Sequence, residues 1–470
     1  MNQKIRVTTG WAVGLAMVTF GAAMAVDAAD GLRPYEKNPT YWQYRGEPVL
    51  LVGGSVDDNL FQIPELERHL DEMRAVGGNY IRNTMSDRRD AGNEVYAYRR
   101  LDNGKYDLGQ WNDEYWDRFE NLLRWTSERR IFVQIEVFDR FDYSRDHWPP
   151  HPYNPRNNVN YDGESSGLAA EYPEHPGRNR QPFFFTTPAQ RDNRVLLPYQ
   201  QRFVDKMLSH SLRYDHVLYC IDNETSGEEA WATYWAEYLR QRAEEAGVRI
   251  NITQMWDDWN LRGPQHRRTI DHPQRYDFID VSQNNHKRGQ EHWDNFQWVR
   301  QAIADRPRPI NTVKTYGADG NKFGHSDQDG VERLVRHLIG GAASARFHRP
   351  DSGLGLSERA KATIRAIRLL ESEVAFWDLE AADRRLSDRE PNEAYLAVAE
   401  GRAAVIYFPS EGEVTVDLRG LPRDLEVRWV SVDHGRWGPT ARLAGGEADA
   451  GVAVRAPGEG NWLGVIRRPR

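Results

Sequence analysis

A single cysteine, Cys220, in 470 residues leaves no route to an internal disulfide, so the fold must rest on its packed core. Excess positive charge is missing as well. The net charge is −8 with both signs interspersed, which argues against nucleic acid as a partner. Beyond the N-terminal stretch, no segment is long and apolar enough to span a bilayer. Metal spacings are also absent: the 14 histidines are scattered and no His-Glu-x-x-His occurs. The runs Asp319-Gly320-Asn321 and Asp327-Gln328-Asp329-Gly330 fall short of a complete calcium loop. There is no Gly-rich phosphate loop, and the Gly-x-Ser-x-Gly match at Gly163-Glu164-Ser165-Ser166-Gly167 lies inside a long connection and not at a strand-to-helix elbow, so nucleotide and serine-hydrolase chemistry fall away and no obligatory cofactor is expected.

What is present begins with an export signal. Lys4 and Arg6 precede an apolar stretch from Trp11 to Ala23, and Ala23-Met24-Ala25 offers a small-residue cleavage site. Residues 1–25 therefore read as a signal peptide, and the mature chain as secreted or periplasmic with no membrane span after cleavage. Cys220 falls inside an apolar strand-like run, where an inert buried thiol is expected. The 16 Trp and 21 Tyr are many, and aromatic faces both fill cores and stack on sugar rings.

Short β-type runs alternate with amphipathic stretches from about residue 48 to 376. Strands are expected at 49–53, 79–83, 131–137, 217–222, 250–255, 278–282, 310–315 and 343–348. Helices are expected at 64–76, 113–129, 188–211, 227–246, 290–305, 328–339 and 357–373, with Pro64 and Pro188 in first turns. Eight strands alternating with helices predict an α/β fold, a (β/α)8 TIM barrel over residues 30–385. The connection over 138–188 is far longer than a usual strand-to-helix loop and is placed at the mouth of a binding cleft. From about residue 386 to 470, short alternating runs separated by turns predict a small all-β antiparallel sandwich, a structural partner of the barrel.

In such a barrel the C-terminal ends of the strands carry the chemistry. Asn223-Glu224 ends strand four, and a carboxyl group beside an amide there suits protonation of a sugar-type leaving group. Burial is expected to raise the Glu224 pKa and keep it protonated near neutral pH. Other strand ends bring Asp58, Arg82, His286, Lys314, Tyr316, Arg346 and His348 toward the same rim, each expected to touch substrate. As rim salt bridges or caps these residues would be structural, but six strands end this way.

Three segments together resemble the clan A glycoside hydrolases, nearest the secreted bacterial apiosidase-like type that joins a barrel to a C-terminal sandwich of collagen-binding type. They are Tyr44-Arg45-Gly46-Glu47-Pro48-Val49-Leu50-Leu51-Val52-Gly53-Gly54, then Gly77-Gly78-Asn79-Tyr80-Ile81-Arg82, and Asn223-Glu224. The resemblance covers most of the chain. It implies that Asn223 holds a sugar hydroxyl, that Glu224 is the acid/base, and that Arg82 lies near the nucleophile.

One departure stands out. The clan places a nucleophilic Glu at the end of strand seven, and here Asn311-Thr312-Val313-Lys314-Thr315-Tyr316 has no carboxylate before Asp319. Asp257, in Trp256-Asp257-Asp258-Trp259 after strand five, is the preferred second carboxylate, with Trp256 beside it expected to face the sugar. Asp258 is its neighbour and substitute, and Asp222, Glu136 and Asp139 rank lower. As structural residues, Asp257 and Asp258 would cap the following turn. The cations Lys314, Arg346, Arg349, His286 and His348 suit an anionic sugar. The sequence thus predicts a secreted glycoside hydrolase acting on a polysaccharide or oligosaccharide. A uronate lyase using Lys314, Tyr316 or His286, and a non-catalytic glycan-binding barrel, stand as alternatives.

Overall fold

The computed structural model of the chain describes residues 31–86, 88, 92–176, 180–443 and 451–469. The signal segment expected over 1–25 lies outside these residues. Eight short parallel strands organise the larger part: β1 Leu51–Gly54, β2 Tyr80–Thr84, β3 Phe132–Asp139, β4 Val217–Asn223, β5 Ile252–Thr253, β6 Ile279–Asp280, β7 Ile310–Asn311 and β8 Ser344–Phe347. Every residue in them is buried, which is why they read as unbroken rather than alternating apolar runs. Parallel ladders join β2, β3, β4 and β5 in order, β6 to β7, and β8 to β1. Further backbone bonds link these groups, among them Asn79 N to Val52 O at 2.8 Å, Asp277 N to Ile252 O at 2.8 Å, and Ala343 N to Ile310 O at 2.9 Å. Gly53 in β1 is fixed by closeness, since a Cβ there would overlap the Tyr80 carbonyl of β2.

The helices between them are α1 Leu66–Ala75, α2 Asp113–Arg129, α3 Leu197–Ser211, α4 Glu229–Glu245, α5 Pro264–Ile270, α6 Gly289–Ala302, α7 Asp327–Ile339 and α8 Glu358–Glu371. Their starts follow ordinary capping chemistry. Asn112 accepts from Glu114 N, and Ser326 and Asp329 form a reciprocal box. Several boundaries differ from the sequence expectation. Val49 belongs to an antiparallel hairpin with Asn38–Tyr44, so β1 begins only at Leu51. Pro64 precedes the N-cap Glu65 of α1, and α3 starts with Pro198, not Pro188, in its first turn. Helix α5, seven residues long and mostly polar, is too short for periodicity to mark. The hairpin Tyr98–Arg100 with Tyr106–Trp111 was also unmarked.

Near the start of β6 and β7 the N-terminal hairpin is pinned by Trp42, fully buried, whose indole donates to Asn311 Oδ1 at 2.9 Å and packs on Phe278. At the other terminus lies a six-stranded antiparallel sheet in the order Glu380–Ala381, Tyr395–Ala399, Ala403–Phe408, Trp462–Arg467, Glu426–Ser431, Arg436–Arg442. Its period-two alternation gives it two apolar faces. Tyr395, Val405, Tyr407 and Leu463 join the core of the parallel part. Leu396, Ile406, Trp429 and Ile466 pack instead with Val414, Val416 and Val454 of a three-stranded sheet into a second core. Glu373 after α8 binds Arg428 at 2.7 Å and Arg467 at 3.1 Å across the junction. Cys220 is buried, and burial pushes its thiol well above the ordinary range. Among the described residues no helix is long and apolar enough to cross a membrane.

Candidate active site

A cavity of about 430 Å³ opens where β1, β4, β5, β6, β7 and β8 end, and the long β3 connection adds Phe141, Arg145, His147 and His175 to its wall. That loop therefore sits where its length and composition placed it. A larger, more open groove of about 760 Å³ lies over the Tyr98–Trp111 hairpin. It is away from the strand ends, and the convergent polar groups are in the smaller cavity.

Glu224 follows the last residue of β4, and its backbone is in the left-handed region (φ 43°). For a residue with a Cβ this costs on the order of 1 kcal/mol, a strain commonly retained at functional positions. The turn is held by Thr225, whose amide donates to Met255 O at 2.9 Å and whose carbonyl accepts from Asp257 N at 2.9 Å. The ends of β4 and β5 are thereby tied together, and Glu224 and Asp257 both line the cavity. Glu224 Oε1 meets Lys314 Nζ at 2.7 Å, accepts from Gln283 Nε2 at 2.9 Å and accepts from Tyr316 OH at 3.1 Å. Burial alone would raise the pKa of this carboxyl, but the Lys314 ammonium and the hydrogen bonds outweigh burial and bring it down to about 2. Glu224 is thus an ionised carboxylate, not the protonated acid that burial alone would make it.

Asp257 behaves in the opposite way. Burial first, and then the negative charge of Glu224, raise it to about 6, with Lys314 opposing. Two carboxyl groups on adjacent strand ends are therefore displaced in opposite directions. Asp258 is a turn residue whose Oδ1 accepts from Asn260 N at 2.9 Å. Asp222 is buried against Trp231 Nε1 at 3.0 Å and Gln254 Nε2 at 2.8 Å, outside the cavity wall. Asp319 is exposed and bonded to Asp327 N at the start of α7, so the missing strand-seven carboxylate is no slip of register.

The remaining predicted residues divide between wall and interior. Asp58 lines the cavity, ion-paired with Arg82 and with Arg349 at 3.5 Å, and His348 Nδ1 lies 3.5 Å from it. Burial would raise its pKa, yet Arg82 and its other cationic neighbours hold the carboxyl well below the usual range. Asn223 also faces the cavity. Its Nδ2 donates to Asp139 Oδ2 at 3.0 Å, and its buried Oδ1 has no hydrogen-bond partner among the described residues, leaving an unused acceptor at the cavity. His286 and His348 are on the wall, and burial holds both imidazoles neutral, His286 at about 4.

Three expected substrate contacts are instead interior. Arg82 is fully buried and bridges Asp58 and Glu136, the latter at 2.6 Å. It shapes the floor without lining the cavity. Arg346 is fully buried too, donating to Ser55 Oγ at 2.7 Å and Val313 O at 2.5 Å. Trp256 points into the core, its indole on Thr269 Oγ1 at 2.7 Å. Next to Trp256 the adjacent Asp257 reaches the cavity instead, whereas neither neighbour of Arg82 or of Arg346 lines it. The sequence reading had not marked Trp259, Phe323, Gln283 and Arg88 as contacts, although all four line the wall. Gln283 directly follows the strand expected at 278–282, while Trp259 and Phe323 lie on turns whose direction only the fold decides. Among the described residues no group of three or more His, Cys, Asp or Glu could hold a metal ion.

No protein-family model and no curated protein matches this sequence. Solved structures do. A glycoside hydrolase family 5 protein from Bacteroides vulgatus superposes with a TM-score of 0.62 at 10% identity, covering 94% of this chain and 93% of that one. An α-amylase from Geobacillus thermoleovorans, complexed with acarbose, gives 0.56 at 11% identity over 90% of this chain and 99% of that one. At such identities the likeness shows the fold, mixed α/β of the TIM-barrel type.

Proposed function

We propose that this protein is a glycoside hydrolase whose chemistry is carried by Glu224 and Asp257. The observation behind this reading is the opposed ionisation of the two carboxyls on one cavity, about 2 for Glu224 and about 6 for Asp257. Pairs pushed apart in this way supply one proton donor and one carboxylate. Asp257 would donate its proton to the glycosidic oxygen. Glu224, ionised, would act on the anomeric carbon, directly or through a water according to the separation of the carboxyls. Asn223 Oδ1 would hold a sugar hydroxyl. Relative to the clan A resemblance, the acid moves from strand four to strand five.

The wider reading has its own supports. The three backbone bonds between strand groups favour a closed (β/α)8 barrel, and the second apolar core favours a C-terminal sandwich. The pairing of Glu380–Ala381 with Tyr395–Ala399 supports a boundary near residue 380, a little before the 386 of the sequence reading. The N-terminal basic and apolar segments support export. Arg145, Lys322 and Arg349 on the cavity wall support a substrate bearing anionic sugars. The lyase alternative loses ground, because Lys314 is paired with Glu224, and Tyr316 donates to the same oxygen with its pKa pushed well above 10 by burial and the Glu224 charge.

The test is release of reducing ends from a panel of neutral and uronate-containing polysaccharides, with ultraviolet absorbance read in parallel. Reducing ends without an unsaturated product, abolished in Glu224→Gln, are expected. Unsaturated products would establish the lyase, and no products after long incubation would leave a binding protein.

A further inference from the structure

Of the described residues, five lysine and arginine side chains line the cavity, Arg88, Arg145, Lys314, Lys322 and Arg349, and three of them are answered by carboxylates. Arg88 pairs with Asp139 at 3.1 Å, Lys314 with Glu224 at 2.7 Å, and Arg349 with Asp351 at 3.0 Å. Arg145 and Lys322 have no carboxylate partner among the described residues. Both are exposed, so water satisfies them in the free protein, yet their charge is uncompensated in a chain whose net charge is −8. A cleft lined by surplus charge of one sign concentrates ligands of the other. Both cations are also placed by their surroundings. Lys322 Nζ lies 5.0 Å over the Phe323 ring, and Phe323 is stacked on Tyr316, centroids 5.3 Å apart and planes at 6°. Tyr316 in turn donates to Glu224 Oε1, so this column of rings runs from the ammonium to the proposed catalytic carboxylate. Arg145 sits at φ 52°, in the left-handed region, and its amide donates to Tyr172 O at 2.7 Å. The two stand on different walls. Arg145 belongs to the connection after β3 and Lys322 to the connection after β7, while Glu224 and Asp257 follow β4 and β5, which come between them in the chain.

We infer that Arg145 and Lys322 form two anion subsites flanking the catalytic carboxyls, so that the substrate is a polyanionic glycan with acidic groups on separate rings. The inference rests on the glycosidase reading above and narrows its substrate class. A chain with a single acidic group answers one wall and leaves the cation on the other as it was. Arg349 is set apart from the pair, because Asp351 and Asp58 already hold its guanidinium. Carboxylate and sulfate share the recognised chemistry: a guanidinium takes two oxygens of either in parallel, and an ammonium meets either as a point charge.

The experiment titrates the Asp257→Asn protein calorimetrically at about pH 5, where Asp257, raised to about 6, already carries a proton and the substitution keeps the charge of the cavity. The ligands are hexamers of galacturonate, mannuronate and sulfated galactose, the methyl-esterified or unsulfated counterpart of each, and xylohexaose bearing one glucuronate. At least one acidic hexamer should bind about tenfold or more tighter than both its neutral counterpart and the singly charged chain, and about 0.5 M salt should remove the difference. Whether a uronate or the sulfated hexamer leads tells carboxylate from sulfate. Arg145→Gln and Lys322→Gln, added singly, should each weaken that ligand about fivefold, together by the product, and leave its neutral counterpart unaffected. Lys322→Arg should restore binding. No acidic hexamer tighter than its counterpart, or an effect of one cation alone, overturns the paired subsites. Reducing ends are followed in parallel with the wild-type enzyme: tight binding with both variant effects but no products would overturn the hydrolase reading and keep the subsites.

Discussion

Replacing Lys314 with Met tests the electrostatics of the site most directly, because the side chain keeps its length and loses its charge. In the native protein the ammonium sits 2.7 Å from Glu224 Oε1 and takes the carboxyl from an ordinary 4.5 down to about 2. That displacement corresponds to on the order of 3 kcal/mol between the two protonation states. Without Lys314, Arg82 and the hydrogen bonds from Gln283 and Tyr316 still oppose burial, and Glu224 rises from about 2 toward its ordinary value. The acidic limb of kcat/KM, which reports the free enzyme, should therefore climb clearly above 2 in Lys314→Met. Stability gives a second reading with a definite sign. Glu224 has a folded pKa below its unfolded one, so it stabilises the native state above pH 4.5 and loses that contribution as pH falls toward 2. Wild type should shed more than the variant between pH 4.5 and 2 in denaturant titrations, by at most about 3 kcal/mol. An acidic limb that stays near pH 2 in the variant would refute the pairing as the cause.

Further outcomes follow from neighbouring groups. Asp257→Asn should lower kcat/KM on unactivated glycans by about 10²- to 10⁴-fold and erase a basic limb near pH 6; a limb that persists removes Asp257 as the acid. Arg82→Met leaves Asp58 and Glu136 buried without their shared cation and should cost about 3–5 kcal/mol in chemical denaturation, whereas an unchanged midpoint would show the bridge to be dispensable. Truncation before Glu380 uncovers the apolar surface now packed on Tyr395, Tyr407 and Leu463 and should give insoluble protein; a soluble, active fragment would contradict the structural role of the C-terminal sheets.

Much of this was legible from residue order, for identifiable reasons. Helix α2 was placed at 113–129 to the residue, because Asn112 caps it and its apolar positions repeat at helical spacing. Strand ends were legible because buried apolar runs stop where Asn223 or Lys314 begins to face the cavity. What the residue order does not carry is which side of a short strand end turns inward. Arg82, Arg346 and Trp256 each sit in a run that ends at the rim, yet their side chains face the interior. Asp58, Lys314 and His348, in the same kind of run, reach the cavity. Five of these strands have four residues or fewer, and Asp58, Lys314 and His348 all lie past their last residues, where strand alternation no longer sets the direction: Arg346 and His348 are two positions apart yet face different ways. The pKa of Glu224 was illegible for a related reason: burial can be read from an apolar run, but a cation 90 residues away cannot.

The exchange of sign at strand seven accounts for the rest of the site. A second carboxylate facing Glu224 would repel its charge and hold a proton there. Lys314 attracts that charge instead, and Gln283 and Tyr316 both donate to the oxygen that Lys314 contacts, so every close neighbour of Oε1 favours the ionised form. Once Glu224 is fixed as an anion, the proposed acid catalysis requires a proton on a different group of the same wall. Asp58 is excluded by Arg82 and its other cations, which leaves Asp257, itself raised in part by the Glu224 anion. One lysine on β7's end thus determines both the charge of residue 224 and where the proton is stored, on the neighbouring strand end that Thr225 ties to it.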